Sequence, residues 1–278
     1  MAKNSYTVRV AGGKKVALSK IDTSFTAGLD KAAAPKELEA LRAELERLQE
    51  LLFAAHTHSL LIVLQGMDTS GKDGAIRGAL GGFNPQGCRV ETFKVPTAEE
   101  LGHDFLWRVH KVTPVLGQVT IFNRSHYEDV LVVRVHNLVE QKVWQKRYDH
   151  INRFEELLTD SNTIVVKFFL HISKQEQEER LLAREADTEK AWKLSVGDWQ
   201  QREYWSDYQR AYEDALTQCS TNHAPWHVVP ADKKWFRNVA IAKTLVEMLS
   251  SYESCWKKKL AMESKARLAE LKAYREQK

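Results

Sequence analysis

Residues 66–74 read Gly66-Met67-Asp68-Thr69-Ser70-Gly71-Lys72-Asp73-Gly74, a G-x-x-x-x-G-K loop, and that spacing suits the wrapping of a phosphate. The glycines let backbone N–H groups turn inward around phosphate oxygens. A following helix adds the partial positive charge of its N-terminus, and Lys72 supplies a full one. Two residues depart from the general pattern. Asp73 stands where a Ser or Thr hydroxyl normally meets Mg²⁺, and Asp68 lies inside the loop. A carboxylate among phosphates is repelled unless a cation lies between them, so Asp68 is expected to hold Mg²⁺, a hard cation that takes oxygen ligands. Asp73, at the helix start, is expected to favour the dipole.

A second polar cluster, Asn123-Arg124-Ser125-His126-Tyr127-Glu128-Asp129, follows the apolar run 119–122. Ligands of open α/β sheets gather beyond the carboxyl ends of strands, which would turn Asn123 and Arg124 towards the glycine loop. The planar fork of Arg124 can bind two phosphate oxygens at once. Phosphate-loop enzymes commonly end this strand in an aspartate that positions Mg²⁺. Here the residue is the amide of Asn123, and Glu128, about one helical turn on, is expected to return the missing charge. Asn123-Arg124-Ser125 also fits a glycosylation sequon, against which stands the lack of a secretory signal. His126 and Tyr127 read as a structural pair at a helix start.

A third segment, 178–198, carries Arg180, Arg184, Lys190 and Lys193, with Trp192 between the lysines. Arg180 and Arg184 stand one turn apart on one helix face. A basic segment that covers charged phosphates and excludes water is what phosphoryl transfer requires. The alternative is a solvated charged helix, because Glu176, Glu178, Glu179, Glu185, Asp187 and Glu189 neutralise the count.

The elements that must position these residues follow from hydrophobic patterning. Strands are predicted at 59–65, 89–95, 118–122, 163–170 and 226–229, and helices at 35–54, 97–111, 126–136, 140–159, 174–185, 196–218 and 233–249. Alternating strands and helices imply a three-layer α/β/α fold with a parallel five-stranded sheet. No repeat of 20–50 residues and no Gly/Ser- or Pro-rich linker divides the chain. The organisation expected is a 1–35 extension with little chemistry, a phosphotransferase domain over 36–252 with its lid at 178–198, and a basic helical tail over 253–278.

Composition narrows the class further. At 278 residues, 43% hydrophobic and 28% charged, the chain is neither disordered nor low in complexity. Its net charge of +4 is concentrated in the tail: residues 257–278 carry +5 and residues 1–256 carry −1. A nucleic-acid-binding surface would show a basic excess over the folded body, so no nucleic-acid partner is expected. No apolar run is longer than five residues, the length of 60–64, against roughly 20 needed to span a bilayer, and 1–20 holds no continuous apolar stretch of the signal-peptide kind. A soluble, cytoplasmic protein without a membrane partner is expected. Cys88, Cys219 and Cys255 match neither a disulfide framework nor metal-ligand spacing and read as reduced thiols.

Taken together, the loop 66–74, Phe122-Asn-Arg-Ser-His-Tyr-Glu128 and Lys190-Ala-Trp-Lys-Leu-Ser195 resemble the second family of polyphosphate kinases, phosphate-loop enzymes that move a phosphoryl group between inorganic polyphosphate and a nucleotide. Phe105-Leu-Trp-Arg-Val-His110 and Trp144-Gln-Lys-Arg-Tyr148 extend the likeness over about residues 48–248. The resemblance implies that Asp68 works with Mg²⁺ and the phosphates, with Glu128 as a second metal carboxylate, that Lys72 and Arg124 act on the transferred phosphate, and that Arg180, Arg184, Lys190 and Lys193 form the lid. It assigns Gly66, Met67, Thr69, Ser70, Gly71, Asp73, Gly74 and Asn123 to nucleotide and phosphate binding, and Arg77 and Arg108 to the phosphate channel. Relatives often carry aspartate at the position of Asn123, and the subgroup with Asn123 and Glu128 is similar to the one that accepts both AMP and ADP. Many also place a proline after the lid aspartate, whereas Asp187 precedes Thr188. The implied partners are polyphosphate, AMP, ADP and ATP, with guanine nucleotides and replacement of Mg²⁺ by Mn²⁺ left open, and a second or further copy of the chain in a dimer or tetramer. The alternatives are an ATP-dependent phosphate-loop kinase of a small metabolite or nucleotide, and a non-catalytic nucleic-acid binder using the basic tail.

Overall fold

The computed structural model describes residues 5–187, 189 and 195–276. Its strands are β1 (Val8–Arg9), β2 (Ser59–Gln65), β3 (Cys88–Thr92), β4 (Val119–Asn123), β5 (Thr163–His171) and β6 (Trp226–Pro230). They form one sheet in the order β1-β6-β5-β2-β4-β3. Every residue of β2 and β5 is buried, which is why β2 reads as an apolar run, and β5 as one broken by Lys167, rather than as alternation. The helices are α1 (Ala34–Ala55), α2 (Lys72–Ala79), α3 (Ala98–Leu101), α4 (Trp107–His110), α5 (Val132–Val135), α6 (Gln141–Asp160), α7 (Lys174–Glu185), α8 (Val196–Glu203), α9 (Trp205–Gln218), α10 (Lys234–Ser250) and α11 (Glu253–Glu276).

The sheet has six strands among the described residues, which corrects the expected five. The five expected strands are β2 to β6, all paired in parallel. The sixth, β1, lies antiparallel on the outer edge of β6. It lies inside the alternating stretch Tyr6-Thr-Val-Arg-Val10, which is too short on its own to predict a strand of the sheet. The strand exists because β6 offers an unpaired edge, to which Val10 donates a backbone bond at the Trp226 carbonyl, 2.8 Å. Helix boundaries differ too: 97–111 resolves into α3 and α4, 126–136 into a 3₁₀ turn (His126–Asp129) and α5, and 196–218 into α8 and α9.

Alternate residues of β5 separate the two covering layers. Lys167 reaches Glu155 of α6 at 2.5 Å, and the Phe169 ring lies 4.5 Å from that of Tyr212 on α9. Phe168 faces the other way, against His227, whose Nδ1 shares a hydrogen bond with Thr7, itself bonded to Thr244 of α10. Thus α6 and α9 cover one face, while α10, packed on α1 and α2, covers the other. No helix among the described residues is long and apolar enough to cross a membrane.

The chain runs from β2 to β3 and β4 on one side and then to β5 and β6 on the other. The order therefore switches at β2, and ligands of such sheets sit at the carboxyl ends of strands where it does so. The glycine loop leaves β2 at that end. Leu64 pairs with Asn123 across β2 and β4, and Arg124 N–H donates to the Leu64 carbonyl at 3.1 Å, so the second polar cluster is locked beside the loop.

The candidate phosphate-binding site

Between β2 and α2 the loop turns through Gly71, whose φ of +97° caps α2 in a conformation that a side chain would strain. α2 then presents Gly71, Gly74 and Gly78 along one face, three and four residues apart. Added side chains there would collide with Arg237 at Gly71 and Gly74, and with Asn238 at Gly78. The glycines thus serve two purposes: they shape the loop and let α10 approach α2.

Lys72 is buried, and its Nζ donates to the carbonyls of Gly66 (2.8 Å) and Met67 (3.3 Å). Burial, with the Arg124 charge adding to it, pushes its pKa down to about 8, against the pull of Asp68, Glu128 and Asp73. Within the loop the hydroxyls of Thr69 and Ser70 are buried and have no hydrogen-bond partner among the described residues, a condition that a phosphate oxygen would relieve. Met67 packs into the core, anchoring the loop, while Asp73 accepts a bond from Asn123 Nδ2 at 2.8 Å.

Arg124 joins the two carboxylates expected to act with metal. Its Nη2 lies 2.5 Å from Asp68 Oδ1 and its Nη1 3.6 Å from Glu128 Oε2. The neighbouring residues hold it there. Ser125, His126 and Tyr127 are buried, and the last two meet Glu155, which also pairs with Lys167. That buried ion pair is hydrogen-bonded on several sides, as charges removed from water must be. His126 and Tyr127 therefore serve as the structural anchor, and the residues flanking them face the loop.

The expected lid residues divide. Arg180 is buried, and its five N–H donors all have acceptors: Nε on Glu176 (2.7 Å), Nη1 on the Thr69 and Ser70 carbonyls (2.9 and 3.0 Å), and Nη2 on those of Ala231 and Asp232 (2.6 and 2.9 Å). It braces the loop against the end of β6. Arg184 pairs with Asp198 of α8 at 2.6 Å, and burial, then the negative charge of Asp68, raises the Asp198 pKa. Lys190 and Lys193 lie outside the described residues. Arg77 sits on the exposed side of α2. Arg108 is buried, donating to the Lys94 carbonyl at 2.9 Å and lying over the Phe93 ring.

Two residues of this neighbourhood were not anticipated. Gln177, buried on α7, donates to the Asp68 carbonyl at 3.1 Å, and Arg237 lies beneath the first turn of α2. Neither belongs to a local motif. The one signal in the sequence is the glycine stripe of α2, which demands a close neighbour without saying which.

The model of the family described as polyphosphate kinase 2 matches residues 28–257. The chain is 52% identical over 243 residues to the AMP/ADP-polyphosphate phosphotransferase of Meiothermus ruber, covering 87% of this chain and 91% of that one. It is 43% identical over 258 residues to the ADP-polyphosphate phosphotransferase of Rhodopseudomonas palustris, covering 87% and 89%. Among solved structures, polyphosphate kinase 2 from Arthrobacter aurescens TC1 superposes with a TM-score of 0.84 at 42% identity, covering 89% of this chain and 92% of that one. A glycine loop at the switch point of the sheet and this likeness over nearly the whole chain agree: the protein is a phosphotransferase that belongs to the polyphosphate kinase 2 family.

Proposed function

We propose that the chain moves a phosphoryl group reversibly between inorganic polyphosphate and AMP or ADP, giving ADP and ATP. The observation that carries this reading is the convergence of Asp68, Arg124 and Glu128 beside Lys72 at the carboxyl end of β2. The names of the relatives from Meiothermus ruber and Rhodopseudomonas palustris support the substrate class. Acceptance of both AMP and ADP rests on Asn123 and Glu128, and only the first of those relatives is named for both nucleotides.

Phosphoryl transfer demands positioning and charge neutralisation more than covalent chemistry. Backbone N–H groups at the start of α2 and the Thr69 and Ser70 hydroxyls cradle one phosphate, and Lys72 neutralises it. Arg124 exchanges its carboxylate partners for oxygens of the transferred group, which its fork can meet two at a time. Two carboxylates on one guanidinium are a donor set suited to Mg²⁺, which commonly binds one or two protein carboxylates and completes its shell with substrate phosphate and water. Asp68 and Glu128 would hold Mg²⁺, or Mn²⁺ in its place, which when bound neutralises phosphate charge. No strong base is needed, because the terminal phosphate of a nucleotide is already ionised at neutral pH. Arg184 is the lid residue among the described ones that would meet substrate phosphate, by exchanging Asp198 for it. In this reading the protein works in the cytoplasm as a homo-oligomer, and guanine nucleotides are acceptors to test beside adenine ones.

The test is incubation with long-chain polyphosphate and Mg²⁺, supplying AMP or ADP separately and following nucleotides by chromatography. ADP and ATP arising from AMP are expected. ATP from ADP alone would remove the broad-acceptor reading. Transfer from ATP to a metabolite, with none from polyphosphate, would replace the donor.

A further inference from the structure

Beneath the phosphate loop lies a second guanidinium that the mechanism above does not use. Arg237, on the first turn of α10, is 3% exposed. Its Nη2 would stand 2.9 Å from a Cβ at Gly74, and its Nη1 occupies the place a Cβ at Gly71 would take. Both glycines of the first turn of α2 therefore leave their side-chain volume to this one cation. Its protein partners are weak. Nε and Nη2 share one neutral acceptor, Asn238 Oδ1, at 3.1 and 2.9 Å, and Nη1 reaches the Ser70 carbonyl only at 3.5 Å. Among the described residues no carboxylate pairs with it, and the charge that acts on it is the like charge of Arg180. The contrast with Arg180 is instructive, since that guanidinium has all five donors matched to acceptors.

Burying a cation without a counterion opposes folding, and burial together with Arg180 pushes the pKa of Arg237 down to about 10. An unneutralised charge directly under an anion-binding loop raises the positive potential at that loop, and the anion that enters supplies the missing opposite charge. We infer that Arg237 is a positioning residue of the phosphate site: it fills the space under Gly71 and Gly74, sets the first turn of α2, and lends its uncompensated charge to the phosphates held above. The inference rests on the reading that loop 66–74 binds the phosphates.

A purely structural arginine and a charge-lending one predict opposite results. Removing a structural arginine lowers the stability of the free protein and leaves binding by the folded fraction unchanged. Removing an uncompensated buried cation in favour of an apolar chain of similar length leaves the free protein as stable or more so, and weakens anion binding. The experiment compares wild type, Arg237→Met, Arg237→Lys and Lys72→Ala, measuring the thermal unfolding midpoint and the affinity for inorganic tripolyphosphate with Mg²⁺ by calorimetry. For Arg237→Met an unfolding midpoint no lower than wild type is expected, with affinity weakened roughly tenfold, the scale on which one partly screened unit charge acts inside a protein. Arg237→Lys is expected to recover part of the affinity, because it restores charge without the fork. The KM for polyphosphate should rise more than kcat falls, since Arg237 touches no reacting atom. A lower midpoint with wild-type affinity would overturn the inference, as would equal affinities in Arg237→Met and Arg237→Lys. If Arg237→Met does not fold, the neutral Arg237→Gln is measured in its place, and wild-type affinity and KM in that variant would overturn the inference. Wild-type affinity in Lys72→Ala would instead overturn the loop reading, and this inference with it.

Discussion

At the scale of single residues, Lys72 and Arg180 show how burial assigns opposite duties to two cations of one loop. Lys72 is held at a pKa of about 8 by burial and by Arg124, so its charged form, the one that binds phosphate, is lost as pH rises through that value. We expect kcat/KM for polyphosphate, which reports the free enzyme, to fall about tenfold per pH unit above about 8. The effect on stability has the opposite sign. With the folded pKa below the ordinary 10.5, the unfolded chain holds the extra proton between the two values, so this group favours folding more as pH rises. Activity and stability should therefore diverge above pH 8, and a parallel fall in both would show that Lys72 is not the titrating group. Lys72→Ala should lower kcat roughly a hundredfold or more, the scale of losing one preorganised charge-stabilising group. Arg180→Met leaves five acceptors of the loop, α7 and the β6 end without their donor, and should cost about 3–5 kcal/mol in denaturant unfolding. Arg184→Met should instead reduce turnover with little loss of stability, and the reverse ranking would undo the division drawn between them. Lys72 was legible because its chemistry depends on neighbours within the loop. The bracing role of Arg180 is not legible in the sequence, because its partners, the carbonyls of residues 69, 70, 231 and 232, lie far off in sequence and carbonyls leave no mark in residue type.

Among the elements, the unit formed by β2, the loop and α2 could be read directly, since a fully buried strand, a glycine turn and a short helix each leave a local pattern. What holds α2 in place could not, because it depends on α10, more than 150 positions away. The contact is made by the glycine stripe. A side chain at Gly78 would meet Asn238, whose Oδ1 is the acceptor for Arg237. Gly78→Ala should displace that amide and destabilise the protein by about 1–3 kcal/mol through overpacking, despite the better helix propensity of alanine. Urea unfolding of Gly78→Ala, Asn238→Ala and the double variant tests the coupling. A double variant less destabilised than the two single effects added together is expected, and strict additivity would mean that the two positions do not meet. The sixth strand failed to show in the sequence for a similar reason. Residues 6–10 alternate in the sequence, but the pairing of β1 depends on the edge that β6 offers.

For the molecule as a whole, charge and packing separate along the chain in the same place. The body, residues 1–256, is nearly neutral at −1, so the potential that draws a polyanion must arise from the cluster of Lys72, Arg124, Arg180, Arg184 and Arg237 at one end of the sheet. The excess of positive charge lies in α11, whose packing ends early. Trp256 is fully buried, its Nε1 donates to His58 Nδ1 at 3.2 Å, and its ring stacks on Tyr252. Leu260 packs partly on the core, whereas Met262, Leu268, Leu271 and Tyr274 are exposed. The core therefore stops at the first two turns of α11, and the remaining turns bury almost nothing. Trp256→Ala should cost about 3–5 kcal/mol, as for any large aromatic removed from a core. A chain ending at Leu260 should unfold within about 0.5 kcal/mol of the full-length protein and retain its kcat at saturating polyphosphate, because the groups that stabilise the transferred phosphate all lie in the body. Steady-state kinetics and denaturant unfolding on the two variants check both halves. Loss of turnover in the shortened chain with stability intact would mean that the outer turns of α11 reach the phosphate site of this or another copy, and the charge that recruits polyphosphate would then have to be counted over the whole chain.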